Sequence, residues 1–488
     1  MVAARGGRME ILVSTRMASI CLLLLGGCSS SGTSSLGNGG GGGTGTGGTG
    51  GSSGGTAGIT GGGGSIGAAG ATGTGGNGGK GVSGSGGSGS GGIGGSGASG
   101  GVLAGVTAMS VGDATSCAVA SGGAVVCWGD NVDGELGNNS VAPSLVPVAV
   151  NSLASGVNAV SAGHPSACAI TTGGAVVCWG ANIRGELGNN STTPSLVPVA
   201  VTGLTSGVTA VSVGNGGFAC AITTGGAVVC WGDNSTGALG NSSTTTTCPL
   251  LPCSLVPVPV TGLTSGVTAV SAGGSSACAI TAGGGVVCWG DNTFGELGNN
   301  STTSSTSPVY VAGLTSGVTA VSVGGNFACA IVQGGAVDCW GDNTGGELGV
   351  STISNCHGDM CSTVPVQVTG LASGVTAVSA GFPGTSGGSA CAITAGGAVV
   401  CWGDNSLGEL GNSSTTSSTS PVQVMGLTSG ATAVSVGSGF ACALGQFGAV
   451  VCWGFNTQDQ LGDNISIAPG ISTIGVSTTV PVPVAGPQ

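Results

Sequence analysis

At 488 residues, with 109 glycines and only 5% charged side chains, the chain is neither an average enzyme nor a charge-driven disordered polypeptide. Its net charge is −12, and of the cations Arg5, Arg8, Arg16, Lys80 and Arg184 only Arg184 lies past residue 100, against sixteen acids. So little positive charge cannot neutralise phosphates, which excludes nucleic acid as a partner and adhesion to anionic headgroups through a polybasic patch.

Residues 1–27 read as an export signal. Arg5, Arg8 and Arg16 make a positive region, and Met17 to Leu25 form an apolar stretch too short to cross a bilayer as a helix. The run Leu25-Gly26-Gly27-Cys28 resembles the lipobox of bacterial lipoproteins. The resemblance implies cleavage before Cys28 and a lipid on its thiol; the competing reading is an ordinary signal peptide with an incidental cysteine. The expected address is the cell envelope, as an outer-membrane lipoprotein with the cell surface within reach. The lipid is the only expected link to the membrane.

Residues 28–101 are almost wholly Gly, Ser, Thr and Ala. Such a segment buries too little apolar surface to offset its ordering entropy. It is expected to be a flexible tether, with an end-to-end distance of roughly 45–50 Å by the square-root rule for Gly-rich chains.

Residues 102–488 repeat one phrase seven times: a cysteine, nine residues, a second cysteine, then Trp-Gly. The pairs are Cys117 with Cys127, Cys168 with Cys178, Cys220 with Cys230, Cys278 with Cys288, Cys329 with Cys339, Cys391 with Cys401 and Cys442 with Cys452. The tryptophans are Trp128, Trp179, Trp231, Trp289, Trp340, Trp402 and Trp453. A period near fifty residues marks a repeat architecture.

In the second repeat, 157–163, 167–171, 175–179 and 198–201 read as four short strands. Thr172-Gly173-Gly174 closes a tight hairpin that sets residue 168 opposite residue 178, within reach of a disulfide. Pro198 suits an outer edge, where no ladder donor is lost. Four strands per repeat and no helical periodicity predict an all-β, seven-bladed β-propeller with four-stranded blades. A linear solenoid is the alternative.

Of twenty cysteines, Cys21 leaves with the signal and Cys28 takes the lipid. The remainder are the seven hairpin pairs plus Cys248 with Cys253 and Cys356 with Cys361. Each has a nearby partner, as expected of disulfides in an oxidising compartment. Metal binding competes poorly: the nine-residue spacing is not a zinc spacing, and the chain has two histidines.

The Trp-Gly-Asp-Asn, two variable residues and Gly-Glu-Leu-Gly of these repeats are similar to the regulator of chromosome condensation repeat, a seven-bladed propeller family. Ala181 replaces Asp in the second repeat and Ala238 replaces Glu in the third. The seventh departs further, with Phe455 and Asp459-Gln460. The resemblance implies the fold. It leaves function open, because propellers host many unrelated activities.

No Ser-His-Asp or Cys-His set can be assembled, and His164 and His357 lie in different repeats. Glu135, Glu186, Glu296, Glu347 and Glu409 recur at one position; a cation-binding ring is conceivable, but the expected role is to accept backbone N–H bonds within the turn. Neither metal nor cofactor is expected. The segment 356–361 could hold a soft metal but reads better as a disulfide-pinned loop, and the tryptophans read better as blade packing than as a carbohydrate-stacking ring.

The second and fourth connections of each repeat are nearly constant. Irregularity falls on the first and third, which share the other face: His164-Pro165, the insertion at 382–388 and both disulfide loops. Insertions gathered on one face mark a binding surface. Arg184, Phe294, His357, Phe382 and Leu407 are the candidate partner-binding residues, with Phe294 and Phe382 expected as exposed anchors. The sequence thus predicts a non-enzymatic, monomeric envelope lipoprotein that binds a protein or glycan through one loop-rich face. The alternatives are a polysaccharide-acting enzyme with carboxylates at the channel mouth and a purely structural envelope component.

Overall fold

The structure, a computed structural model, describes residues 101–242, 247–248, 251–351, 354–356, 358–384, 387–465 and 477–487. The signal segment, Cys28, the tether up to residue 100 and His357 lie outside the described residues.

Each repeat folds as one antiparallel sheet, and in five of the seven the strands follow chain order. In the second blade these are Val157–Ala162, Ser166–Thr171, Val176–Gly180 and Ser195–Ala200, from the axis outward. Pro198 lies on the outermost strand, where its missing N–H costs no ladder bond.

One disulfide crosses the central hairpin of every blade, because the tight turn sets its two cysteines directly opposite each other, as Cys168 faces Cys178. The seven rungs are Cys117–Cys127, Cys168–Cys178, Cys220–Cys230, Cys278–Cys288, Cys329–Cys339, Cys391–Cys401 and Cys442–Cys452, with Cα atoms 4.0–4.1 Å apart. Both sulfurs of each rung are fully buried between blades, so Cys127, Cys230, Cys288, Cys339, Cys401 and Cys452 belong to the core as much as the tryptophans that follow them.

Every blade has the expected four strands, and two of the blades carry an addition at the outer edge. Thr247–Cys248 and Ser354–Cys356 add a short fifth strand to the third and fifth blades, each pairing with a lengthened outer strand, Leu251–Pro259 and Asp359–Gln367. The Cys248–Cys253 and Cys356–Cys361 disulfides close these additions.

Two rings of hydrogen bonds join the blades. Near the axis a serine on each innermost strand accepts the N–H of a residue on the next: Ser110 from Ala162, Ser161 from Val213, Ser212 from Ala272, Ser271 from Val323, Ser322 from Ala380 and Ser379 from Val436, all at 2.9–3.0 Å. Ser435 then accepts from Val111 at 3.1 Å, bringing the seventh blade back onto the first. Further out, each tryptophan donates its indole N–H to a turn carbonyl of the preceding blade, as Trp231 does to Glu186 at 2.8 Å. Trp128 closes that ring on Gln460 at 3.0 Å.

The ring therefore closes without exchanging a strand. Its seam is reinforced by Leu103 N–H donating to Val484 at 2.9 Å and by the bridge between Val102 and Ala485.

Between blades the core is a set of similar apolar layers, each capped by a tryptophan no more than 1% exposed. The second glycine of the Gly-Glu-Leu-Gly turn is needed there. Gly188 has φ +60°, and an added Cβ would meet the Trp231 ring of the next blade at 2.9 Å.

Candidate functional site

The turn carboxylates do the structural work expected of them. Glu135, Glu186, Glu296, Glu347 and Glu409 are each at most 2% exposed, and in each Oε2 accepts the N–H of the residue two positions earlier at 2.8–2.9 Å. Glu347 also accepts Gly388 N–H of the sixth blade at 2.8 Å through Oε1. Burial, outweighing these bonds, pushes the carboxyls of Glu296, Glu347 and Glu409 up to about 7. Neighbouring acids add to the rise, Asp291 and Asp342 at Glu296, Asp342 at Glu347 and Asp404 at Glu409.

The Asp-Asn pairs are turn formers too. Asn131 Oδ1 accepts Leu136 N–H at 2.9 Å while its Nδ2 donates to the carbonyls of Ser140 and Ala142.

At the axial end on the loop-rich side, the last residues of the innermost strands face each other as a small apolar ring that includes Val111, Ala162, Val213 and Val323. Phe382 and two serines complete the lining, which holds no carboxylate among the described residues.

Candidate residues on that face fall into three groups. Arg184, half-buried on the second blade, forms an ion pair with Asp233 of the third, whose side chain is 6% exposed. Phe294 of the fourth blade sits beside the fifth-blade loop, with Cys356 Sγ 3.9 Å from its carbonyl oxygen; the sulfur is in a disulfide and has no proton to donate, so this is a packing contact. Phe382 and Leu407 meet at the first loop of the seventh blade: Phe382 N–H donates to Gly437 at 3.1 Å, and Leu407 packs over Gly439.

Phe294 and Phe382 are half-buried rather than exposed, because their loops fold onto the neighbouring blade. The exposed apolar side chains on the connections of this face include Val132 (63%), Ile183 (57%) and Met360 (51%). His164 Nδ1 lies 4.0 Å from Asp113. Both sulfurs of the 356–361 loop are used in a disulfide, which leaves no thiolate for a metal. Among the described residues, no three His, Cys, Asp or Glu side chains gather as a metal-ligand set.

A cavity of about 350 Å³ opens on the same face where the second, third and fourth blades meet. Arg184, Asp233, Asn215, Ala238 and Ser275 are among its lining residues. The opposite face is plainer, with one exception: Gly445-Gln446-Phe447-Gly448 departs from the constant hairpin and leaves Phe447 94% exposed.

Closed ring, disulfide-laddered blades and one irregular face together define a propeller scaffold of the kind that presents loops to a partner. The chain matches the regulator of chromosome condensation (RCC1) repeat over 122–170, 173–221, 225–280, 283–331 and 396–444. A second form of that repeat matches 106–135, 208–238, 267–296 and 318–347. The matches span more than half of the chain, which belongs to the RCC1 repeat family.

It is 28% identical over 372 residues to the ultraviolet-B receptor UVR8 of Arabidopsis thaliana, covering 74% of this chain and 80% of the receptor. It is 28% identical over 355 residues to the human E3 ubiquitin-protein ligase HERC2, covering 71% of this chain but only 7% of the ligase. Among solved structures, Prp20p of Saccharomyces cerevisiae shares the fold with a TM-score of 0.60 at 19% identity, over 69% of this chain and 82% of that one. Human WBSCR16 does so with a TM-score of 0.62 at 21% identity, over 74% and 94%. RCC1-like propellers are a family of protein-binding and regulatory domains.

Proposed function

We propose that this protein is a lipid-anchored, non-enzymatic envelope component whose propeller holds a partner protein through its loop-rich face. The observation that carries the reading is where the repeats differ. Both disulfide-closed fifth strands, the 382–388 insertion, Arg184 with Asp233 and the cavity all fall on the first and third connections. The carboxylate-free axial mouth favours a binder over a polysaccharide-cleaving enzyme.

Family relationship supports a protein partner, since the binding of Prp20p to Gsp1p and histones has been described. The envelope address rests on the Cys28 lipobox and is consistent with nine disulfides.

The test is affinity capture from envelope extract with the full chain produced under oxidising conditions. It is run beside an Arg184→Ala, Phe382→Ala, Leu407→Ala variant and a Phe447→Ala variant that alters the opposite face. One protein retained by the native chain and by Phe447→Ala, but lost from the triple variant, is the expected result. Equal retention by all three, or loss only with Phe447→Ala, would overturn the assignment of the face.

A further inference from the structure

The two faces of the ring differ in charge as sharply as in regularity. Past residue 100, every Asp and Glu except Asp338 sits on a first or third connection or on a strand end running into one, and so does the single cation, Arg184. The second and fourth connections carry no Asp, Glu, Lys, Arg or His. Charged side chains are therefore gathered on the loop-rich face, with Asp133 and Asp359 among its exposed acids, and the regular face has none on its connections.

The regular face is also where a second kind of departure gathers. Six of the seven hairpin turns have glycine at the tip, as Gly122 and Gly334 do, while the seventh has Phe447. The tip points into open space, since a Cβ added at Gly122, Gly225, Gly283 or Gly334 would meet nothing within 4 Å. Phe447 is accordingly 94% exposed, and it holds φ +69°, a conformation unfavourable to a bulky side chain. A phenylalanine there gains no packing within the chain to offset either cost.

Two further apolar side chains lie on either side of it. Met425, on the connection from the sixth blade to the seventh, is 53% exposed where other repeats carry Asn151, Thr202 or Ala312. Val102, on the connection across the seam, is 58% exposed. Both connections run against the seventh-blade hairpin: Gln446 N–H donates to Gly430 at 2.9 Å, and Gly105 N–H to Phe447 at 3.4 Å. Among the described residues, Val102, Met425 and Phe447 are the large apolar side chains left exposed on the second and fourth connections.

The chain joins the ring at the same place. Residues 101–105 run along the regular face into the innermost strand Val106–Val111, so everything before Gly101, Cys28 included, is attached beside Val102.

From this placement we propose that the regular face docks on a lipid bilayer, with Phe447 inserted at the boundary of headgroups and acyl chains and Val102 and Met425 at its sides. The choice of lipid as occupant rests on the reading of Cys28 as the anchor. Separate projecting side chains suit a lipid surface, which takes up apolar tips without a matching shape, whereas a second copy would have to offer a pocket for each. Anionic headgroups repel the acids of the far face, which favours the same orientation. Attachment to the bilayer holds the face close to it, so a shallow insertion is enough. The loop-rich face then points away from the membrane.

The experiment uses the full chain with phosphatidylcholine vesicles whose acyl chains are plain or brominated, bromine quenching any tryptophan that reaches it. The seven native tryptophans are each no more than 1% exposed, so the native chain is the blank. Phe447→Trp is expected to add an emission that brominated lipid removes, and Val132→Trp, at a position 63% exposed on the loop-rich face, one that it leaves unchanged. Met425→Trp is expected to be quenched too, and to lose that quenching when combined with Phe447→Ser, which separates insertion from mere nearness to the attachment point. Should Phe447→Trp misfold, Met425→Trp with and without Phe447→Ser decides.

Flotation with the vesicles reads the anchor by itself. A chain that floats with Phe447→Trp unquenched, or with Val132→Trp quenched equally, overturns the docking and leaves the anchor standing. A chain that does not float, but whose Phe447→Trp emission is quenched by added vesicles, overturns the anchor and keeps the docking face. Self-association in detergent that Phe447→Ser abolishes, with no quenching by lipid, overturns the proposal in favour of a second copy.

Discussion

Replacing Glu409 with Gln tests how the buried turn carboxylates couple stability to pH. In the folded ring Glu409 titrates near 7, against an ordinary value of 4.5, because burial disfavours its charged form and Asp404 adds repulsion. A carboxyl that holds its proton more tightly when folded contributes stability below 4.5 and loses it as pH climbs to about 7. The rise of about 2.5 units corresponds to about 3 kcal/mol by pH 8, at about 1.4 kcal/mol per unit. For a ring of roughly 365 described residues this is a fall in Tm of about 4 °C per such group. Gln460 is a natural precedent at the equivalent position, where its Oε1 accepts Gln458 N–H at 2.9 Å, as a glutamate oxygen does elsewhere. Glu409 Oε1 is buried without a partner, so an amide there gives up no existing bond.

Thermal unfolding followed by tryptophan fluorescence from pH 5 to pH 8 is the assay. The native chain is expected to lose stability across that range, Glu409→Gln to lose less, and Glu296→Gln with Glu409→Gln to lose least. At pH 8 both variants should be more stable than the native chain. Glu347→Gln should gain less, because its Oε1 already serves the Gly388 N–H. An unchanged pH slope in the double variant would refute the reasoning, since the remaining acids are common to both proteins.

The inter-blade rings and the disulfide ladder make further expectations. Ser161→Ala strands the buried Val213 N–H and should cost about 1–3 kcal/mol in denaturant unfolding; an unaltered midpoint would remove the serine ring from the account of stability. Gly188→Ala forces a Cβ onto Trp231 at positive φ and should cost more than about 2 kcal/mol, whereas Gly203→Ala, with positive φ but open space around it, should cost less. Replacing both Cys168 and Cys178 by Ala removes a ten-residue link, worth about 2–3 kcal/mol on the loop-entropy scale. A smaller loss, measured by the same unfolding assay, would mean that the hairpin ladder holds its register without the bond.

Elements that depend on neighbours in the chain were legible beforehand. The Cys168–Cys178 rung needs only a tight turn at Gly173 and two strands of matching length, so its register follows from spacing. The seven-bladed ring follows from the count of repeats, and the carboxylate turns follow from the Gly-Glu-Leu-Gly spacing. The serine ring could not be read in this way. Ser161 looks like strand filler, and the residue it serves is 52 positions away on another blade. Phe294 and Phe382 looked like exposed loop tips because nothing local shows that their loops fold onto the next blade. The fifth strands at Thr247–Cys248 and Ser354–Cys356 read only as disulfide-closed loops, since pairing with a lengthened outer strand leaves no periodicity in so short a segment.

Ala238 shows how the repeat accommodates a departure at its turn without harm to the fold. The bond that joins the fourth blade to the third at this turn comes from Trp289 and ends on the main-chain oxygen of Ala238, at 2.8 Å, so the side chain there is not used in closing the ring. Gln460 makes the same point at the seam, where its carbonyl still receives Trp128. Any side chain that fits can therefore occupy this position while the inter-blade bond persists. What changes is the surface of the next blade's first loop, where a glutamate fills the space and an alanine opens it. Ala238 and the elongated loop at Asn215 both line the opening that results, and the tryptophan ring is left intact.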